Sequence, residues 1–163
     1  MKKQFPDALI IGGLFGAWRV ILFGIERIAP AFWQLRENFL GLVTPWANFD
    51  GAHYTSIAKD GYGVYQTAFF PFYPILIRIL SSVTKLPFEY TAILISHTAF
   101  LIGLFLFWKY LEKERGRVWT IVFLLAYPAS FFFAAGYSES IFFALAAGAL
   151  LAIKRKYWIL AAC

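Results

Sequence analysis

Apolar residues in this chain come in long runs, set apart by short charged or polar stretches. The first run, Ala8–Ile25, is interrupted by Arg19 and closed by Glu26-Arg27. At 1.5 Å per residue it is long enough for a helix to cross a bilayer core of about 30 Å. A polar, aromatic-rich region follows over Ala29–Thr67. Within it Phe32, Leu35, Phe39, Leu40 and Val43 recur at helical spacing among Gln34, Arg36, Glu37 and Asn38. That pattern predicts a helix lying in the interface plane. Phe69–Val83 is apolar but short, with Pro71, Pro74 and Arg78 inside it. Thr91–Leu111 is a full span holding His97, and Glu112–Arg117 is a charged connector. Val118–Ala135 is read as another span. Gly136-Tyr137-Ser138-Glu139 breaks the run, Ser140–Ile153 resumes it, and Lys154-Arg155-Lys156 closes it. Tyr157–Cys163 reads like the opening of a further span, so the chain is expected to be one part of a longer protein. The expected fold is an all-α polytopic transmembrane bundle forming one membrane domain, with interfacial helices in the first extracytoplasmic loop.

Composition agrees. The 163 residues are 61% hydrophobic and 15% charged, against about 45–50% apolar residues in soluble domains. The net charge of +6 is not a nucleic-acid signal, because the cations sit beside apolar segments, where they set orientation and meet anionic head groups. With a single cysteine, Cys163, there is no disulfide framework or cysteine-based metal site. Lys2-Lys3 before an apolar run imitates a signal peptide. Arg19 within the run, the lack of a small-residue cleavage site and the later apolar segments argue for a first span instead.

The basic clusters fix the expected orientation. Lys2-Lys3, Lys109–Arg117 and Lys154–Lys156 should face the cytoplasm. The loop around Asp50 and the break at 136–140 then both lie outside. This needs an odd number of crossings between Asp50 and Glu112, so Phe69–Val83 is read as a tilted or re-entrant piece. Were it to cross, the Glu112–Arg117 loop would lie outside, against the charge rule.

Trp46–Tyr62 concentrates the polar chemistry. Asp50 opens a run, Gly51–Ala58, that can form a short helix ended by Lys59-Asp60-Gly61. A structural role makes Asp50 an N-cap and Gly61 the terminating residue. A chemical role is compatible with it: His53, Tyr54 and Ile57 follow at +3, +4 and +7 and share its face, so Asp50 is placed to take a proton from a hydroxyl nucleophile. His53 is a candidate phosphate ligand or proton shuttle, and Tyr54 a substrate contact or a belt residue. Arg78, in an apolar setting, either snorkels to head groups or meets the phosphate of a lipid-linked donor. Arg19 reads better as half of a structural ion pair. His97 is a hydrogen-bonded histidine between helices or a substrate ligand. Glu139, beside the candidate substrate contact Tyr137, is either a second site carboxylate or an anchor for a cation such as Arg78. No histidine, cysteine or carboxylate cluster has metal-ligand spacing and no glycine-rich phosphate loop is present, so no metal, cofactor or soluble nucleotide donor is expected.

Several pieces, in order, resemble the GPI mannosyltransferase II (PIG-V) family and its bacterial relatives. They are Phe49-Asp50-Gly51-Ala52-His53-Tyr54 with Ile57-Ala58 and Gly61-Tyr62; Phe70-Pro71-Phe72-Tyr73-Pro74 with Arg78; Ser96-His97; and Tyr127–Phe133 with Gly136-Tyr137-Ser138-Glu139-Ser140. Phe49 stands where the family usually has tryptophan, and only the amino-terminal half of the family pattern is covered. The resemblance implies a GT-C-class glycosyltransferase in the bacterial plasma membrane or endoplasmic reticulum. Its donor would be a polyprenyl- or dolichyl-phosphate sugar, mannose by resemblance, and its acceptor a glycolipid, glycan or protein on the extracytoplasmic or lumenal side. It implies that Asp50 is the general base or orients the acceptor hydroxyl. Two other classes fit parts of the pattern. A transporter or lipid flippase would line its path with Arg19, Arg78, His97 and Glu139, but would predict an inverted repeat that the sequence lacks. A non-catalytic subunit of a transferase complex explains the hydrophobicity but not the Asp50 loop.

Overall fold

The computed structural model describes residues 6–33 and 44–162, and every regular element among them is helical. The helices are α1 (Asp7–Trp33), α2 (Asp50–Asp60), α3 (Phe72–Thr84), α4 (Phe88–Tyr110), α5 (Arg117–Ala126), α6 (Glu139–Lys154) and α7 (Trp158–Ala162). Two short 3-10 segments, Thr44–Ala47 and Pro128–Phe133, precede α2 and follow α5. Of the interfacial helix expected over Phe32–Val43, Phe32 falls in the last turn of α1 and the rest, from residue 34, lies outside the described residues.

Asp7–Ala29 and Phe88–Tyr110 are long and apolar enough to cross a membrane, at 23 residues each. Such a helix rises about 35 Å, more than the roughly 30 Å hydrocarbon core. α1 runs on to Trp33, past the exit expected near Ile25. Leu9, Val20, Ile21, Phe23, Ile25 and Ile28 project from it uncovered.

α4 and α6 form the tightest helix pair. A Cβ on Gly103 would lie 2.6 Å from Phe143 Cδ1 and 3.1 Å from Ala144 Cα. Glycine here lets the two backbones approach, as small residues do where lipid leaves little hydrophobic drive between helices. One core gathers Ile11 and Trp18 of α1, Phe100, Leu104 and Trp108 of α4, and Ile121 and Leu125 of α5. A second joins Tyr54 and Ala58 of α2, Tyr73 and Ile77 of α3, and Ala92 of α4.

The continuous helix expected over Val118–Ala135 is instead divided. Pro128 pushes the preceding residue out of the α region; Tyr127 is extended (φ −63°, ψ 131°), and the chain restarts as the Pro128–Phe133 3-10 segment. α3 has 13 residues, a rise of about 20 Å and short of a crossing.

The basic connectors collect at one end of the bundle. Lys109 Nζ pairs with Asp7 at 2.6 Å and Arg117 with the same carboxylate at 3.6 Å. Lys154 donates to the Tyr110 carbonyl. At the opposite end Trp46 Nε1 donates to Glu26 at 2.8 Å, beside the start of α2.

Candidate functional site

α2 and the turn before α6 are tied together at that opposite end. Gly136 N–H donates to the Trp46 carbonyl at 2.7 Å. The Tyr137 hydroxyl donates to the Asn48 carbonyl at 3.0 Å. The Tyr54 hydroxyl and Ser138 Oγ share a hydrogen bond of 2.9 Å. Ser96 of α4 donates to the Tyr137 carbonyl at 2.9 Å, and the Tyr73 hydroxyl of α3 lies 2.7 Å from Ser96 Oγ. Gly51 fits because a Cβ there would press on Gly136 O and Tyr137 Cε1, both at 3.4 Å. These bonds bring the Asp50 motif and the Tyr137-Ser138-Glu139 motif to one place.

Asp50 is the first helical residue of α2 and is exposed. The N-cap position belongs to Phe49, with no side-chain cap bond, so Asp50 is not the N-cap. Its carboxylate still gains from the helix dipole in the first turn. Phe49 holds φ 51° and is largely exposed, a strained conformation for a bulky residue immediately before the acid. At the other end Gly61 takes φ 89°, ψ −177° and its N–H bonds Ile57 O, a backbone region that only glycine occupies readily.

Glu139 starts α6 and is half-buried. Burial raises its pKa above the ordinary carboxylate range; a backbone hydrogen bond opposes this, and the negative charge of Asp50 adds to the rise. The two carboxylates therefore sit in different surroundings, Asp50 open to water and Glu139 half-buried. Separated environments of this kind are how a pair of acids takes distinct roles. Burial also raises the Tyr54 and Tyr137 hydroxyls, with Asp50 and Glu139 adding to both and the Ser138 bond opposing at Tyr54. Both tyrosines are buried and spend their hydroxyls on the strap, so they act as struts.

The remaining sequence candidates are His53 on α2 itself, Arg78 on α3 and His97 on α4. His53 stacks on Phe69 at 4.8 Å, with Gln66 Nε2 3.4 Å from its Nδ1. Arg78 donates to the Ala58 and Lys59 carbonyls at 2.5 and 3.1 Å, satisfying the C-terminal end of α2. It forms no ion pair with Glu139. His97 Nδ1–H donates to Ile93 O at 2.7 Å, and the ring meets Phe15 of α1 edge-on at 6.1 Å, as a hydrogen-bonded histidine between helices. Trp46, Asn48, Ser96 and Ser138 hold the site together yet were not singled out as site residues. Trp46 and Asn48 use backbone carbonyls, which carry no residue-type signal.

An open depression of about 500 Å³ borders α2 on its adjoining face, lined by Asn48, Thr55, Ser56, Lys59, Glu89 and Tyr90 among others. No group of three or more metal-binding side chains occurs among the described residues. No protein-family model, curated protein or solved structure matches this chain.

Proposed function

We propose that this chain carries the acid-bearing outer face of a polytopic GT-C-like glycosyltransferase. It would move a sugar, mannose by the family resemblance, from a polyprenyl or dolichyl phosphate to an extracytoplasmic acceptor. The observation that carries the reading is the convergence of Asp50 and Glu139, from distant parts of the sequence, at the end of the bundle away from Lys109, Arg117 and Lys154. With the basic end in the cytoplasm, both acids face outside at head-group height.

The acceptor hydroxyl attacks the anomeric carbon as its proton passes to Asp50. The new carbon–oxygen bond forms as the bond to phosphate breaks, and the lipid phosphate leaves with the electron pair. Glu139, half-buried at the start of α6, is the second acid at this place.

Asp50→Asn tests the assignment. Transfer from labelled polyprenyl-phosphate mannose by membranes carrying the protein should fall about 10²–10⁴-fold, the usual contribution of a general base, with unchanged protein level. Turnover within twofold of wild type removes Asp50 from the mechanism.

A further inference from the structure

Arg19 lies within the apolar run of α1. Its guanidinium carbon is 4.9 Å from the centroid of the Trp46 ring and 5.9 Å from that of Trp18. Its Nη1 is buried and has no hydrogen-bond partner among the described residues. Glu26, about two turns further along the helix, accepts from the Trp46 indole at 2.8 Å. It forms no ion pair with Arg19: both ion pairs among the described residues use Asp7. The structural pair expected for Arg19 is therefore not found among the described residues. A charged donor in an apolar setting is strongly disfavoured unless an anion meets it.

Its position joins two other features. Trp46, whose backbone carbonyl accepts from Gly136 N–H, is the residue on whose indole Arg19 lies. Trp18, against which Arg19 also lies, lines a groove of about 390 Å³ between α1 and α5. Leu14, Ile21, Leu22, Leu125 and Pro128 make its walls predominantly apolar. A guanidinium with an unsatisfied Nη1, lying against the Trp18 that lines an apolar groove, matches a molecule with one anionic head and a long hydrocarbon tail.

We propose that Arg19, held between Trp18 and Trp46, seats the phosphate of a membrane lipid whose chain lies in the α1–α5 groove. Planar guanidinium donors suit phosphate oxygens, and the aromatic faces hold the fork in place without consuming its hydrogens. Assigning this lipid as the sugar donor rests on the glycosyltransferase reading; the seat itself rests on Arg19.

The test uses the full chain in phosphatidylcholine nanodiscs, with tryptophan fluorescence as the readout and Trp46→Phe identifying the reporting indole. The probes are a polyprenyl phosphate, the same polyprenol without phosphate, and phosphatidylglycerol. Wild type should bind the phosphate at least about tenfold more tightly than the alcohol, the scale of a charge-assisted hydrogen bond. Arg19→Gln should erase that preference and Arg19→Lys retain part of it. Wild type that does not distinguish phosphate from alcohol overturns the proposal, whether or not the glutamine variant folds. So does a folded Arg19→Gln protein that keeps the preference. Phosphatidylglycerol competing on equal terms supports the seat and overturns its assignment to the donor. A protein that binds as predicted but transfers no sugar sinks the transferase reading alone. Loss of transfer in Asp50→Asn with no effect of Arg19→Gln sinks the seat alone.

Discussion

Gly103 should set how closely α4 and α6 pack, and substitution there should be costly in graded fashion. An added Cβ would stand 2.6 Å from Phe143 Cδ1, 3.0 Å from Cε1 and 3.1 Å from Ala144 Cα. The ring cannot simply swing away, because it already packs on Phe100, Phe107 and Phe133 at centroid distances of 5.5, 5.8 and 5.4 Å. Overpacking of this kind costs about 1–3 kcal/mol. Alanine recovers about 1 kcal/mol of helix propensity over glycine, so Gly103→Ala should destabilise by roughly 1 kcal/mol. Valine adds two carbons with less propensity gain, and Gly103→Val should cost roughly 3 kcal/mol. Phe143→Leu removes the ring atoms in the way, so the pair Gly103→Ala/Phe143→Leu should be less destabilised than the sum of its parts by about 1 kcal/mol. Denaturant titration in mixed micelles, followed by helicity, measures all four proteins. A Gly103→Val protein within about 0.5 kcal/mol of wild type would refute the claim that this contact fixes the helix pair.

Two further outcomes follow from the same structure. Glu139 has a native pKa raised above its ordinary 4.5, so the folded protein binds this proton more tightly than the unfolded chain. Its favourable contribution is complete below about 4.5 and is lost as pH rises through the native value. Glu139→Gln should therefore gain on wild type in thermal midpoint between pH 4.5 and 8, and a constant offset across that range would contradict the burial argument. Arg78→Met should lose the two hydrogen bonds to the Ala58 and Lys59 carbonyls. A loss of about 1–2 kcal/mol is expected, with amide exchange in the last turn of α2 speeding up before that of α4.

Much of the helix layout was legible in the apolar runs. Thr91–Leu111 corresponds to Phe88–Tyr110, Ser140–Ile153 to Glu139–Lys154, and Gly61 stops α2 as its place after a short polar helix suggested. The division at Tyr127 was carried by a single proline in an otherwise unbroken apolar run, where hydropathy outweighs it. Arg78 was misleading for a physical reason. A cation in an apolar sequence signals a missing partner, but not that the partner is a pair of carbonyls at the end of another helix. Arg19 shows the converse, because the ion pair expected for it is not found among the described residues, and the carboxylate of Glu26 accepts from Trp46. Counting crossings put Asp50 and Glu139 on one side of the membrane but did not bring them together. The strap that does, built from the Trp46 and Asn48 carbonyls, left no trace in residue types.

The account stands on both acids lying outside. Single cysteines placed at Asp50 and at Arg115, in a Cys163→Ser background and labelled in intact cells with a membrane-impermeant maleimide, test this directly. Labelling at 50 and protection at 115 until the cells are opened is the predicted result. Protection at 50 with labelling at 115 would put the acids in the cytoplasm and contradict the assignment.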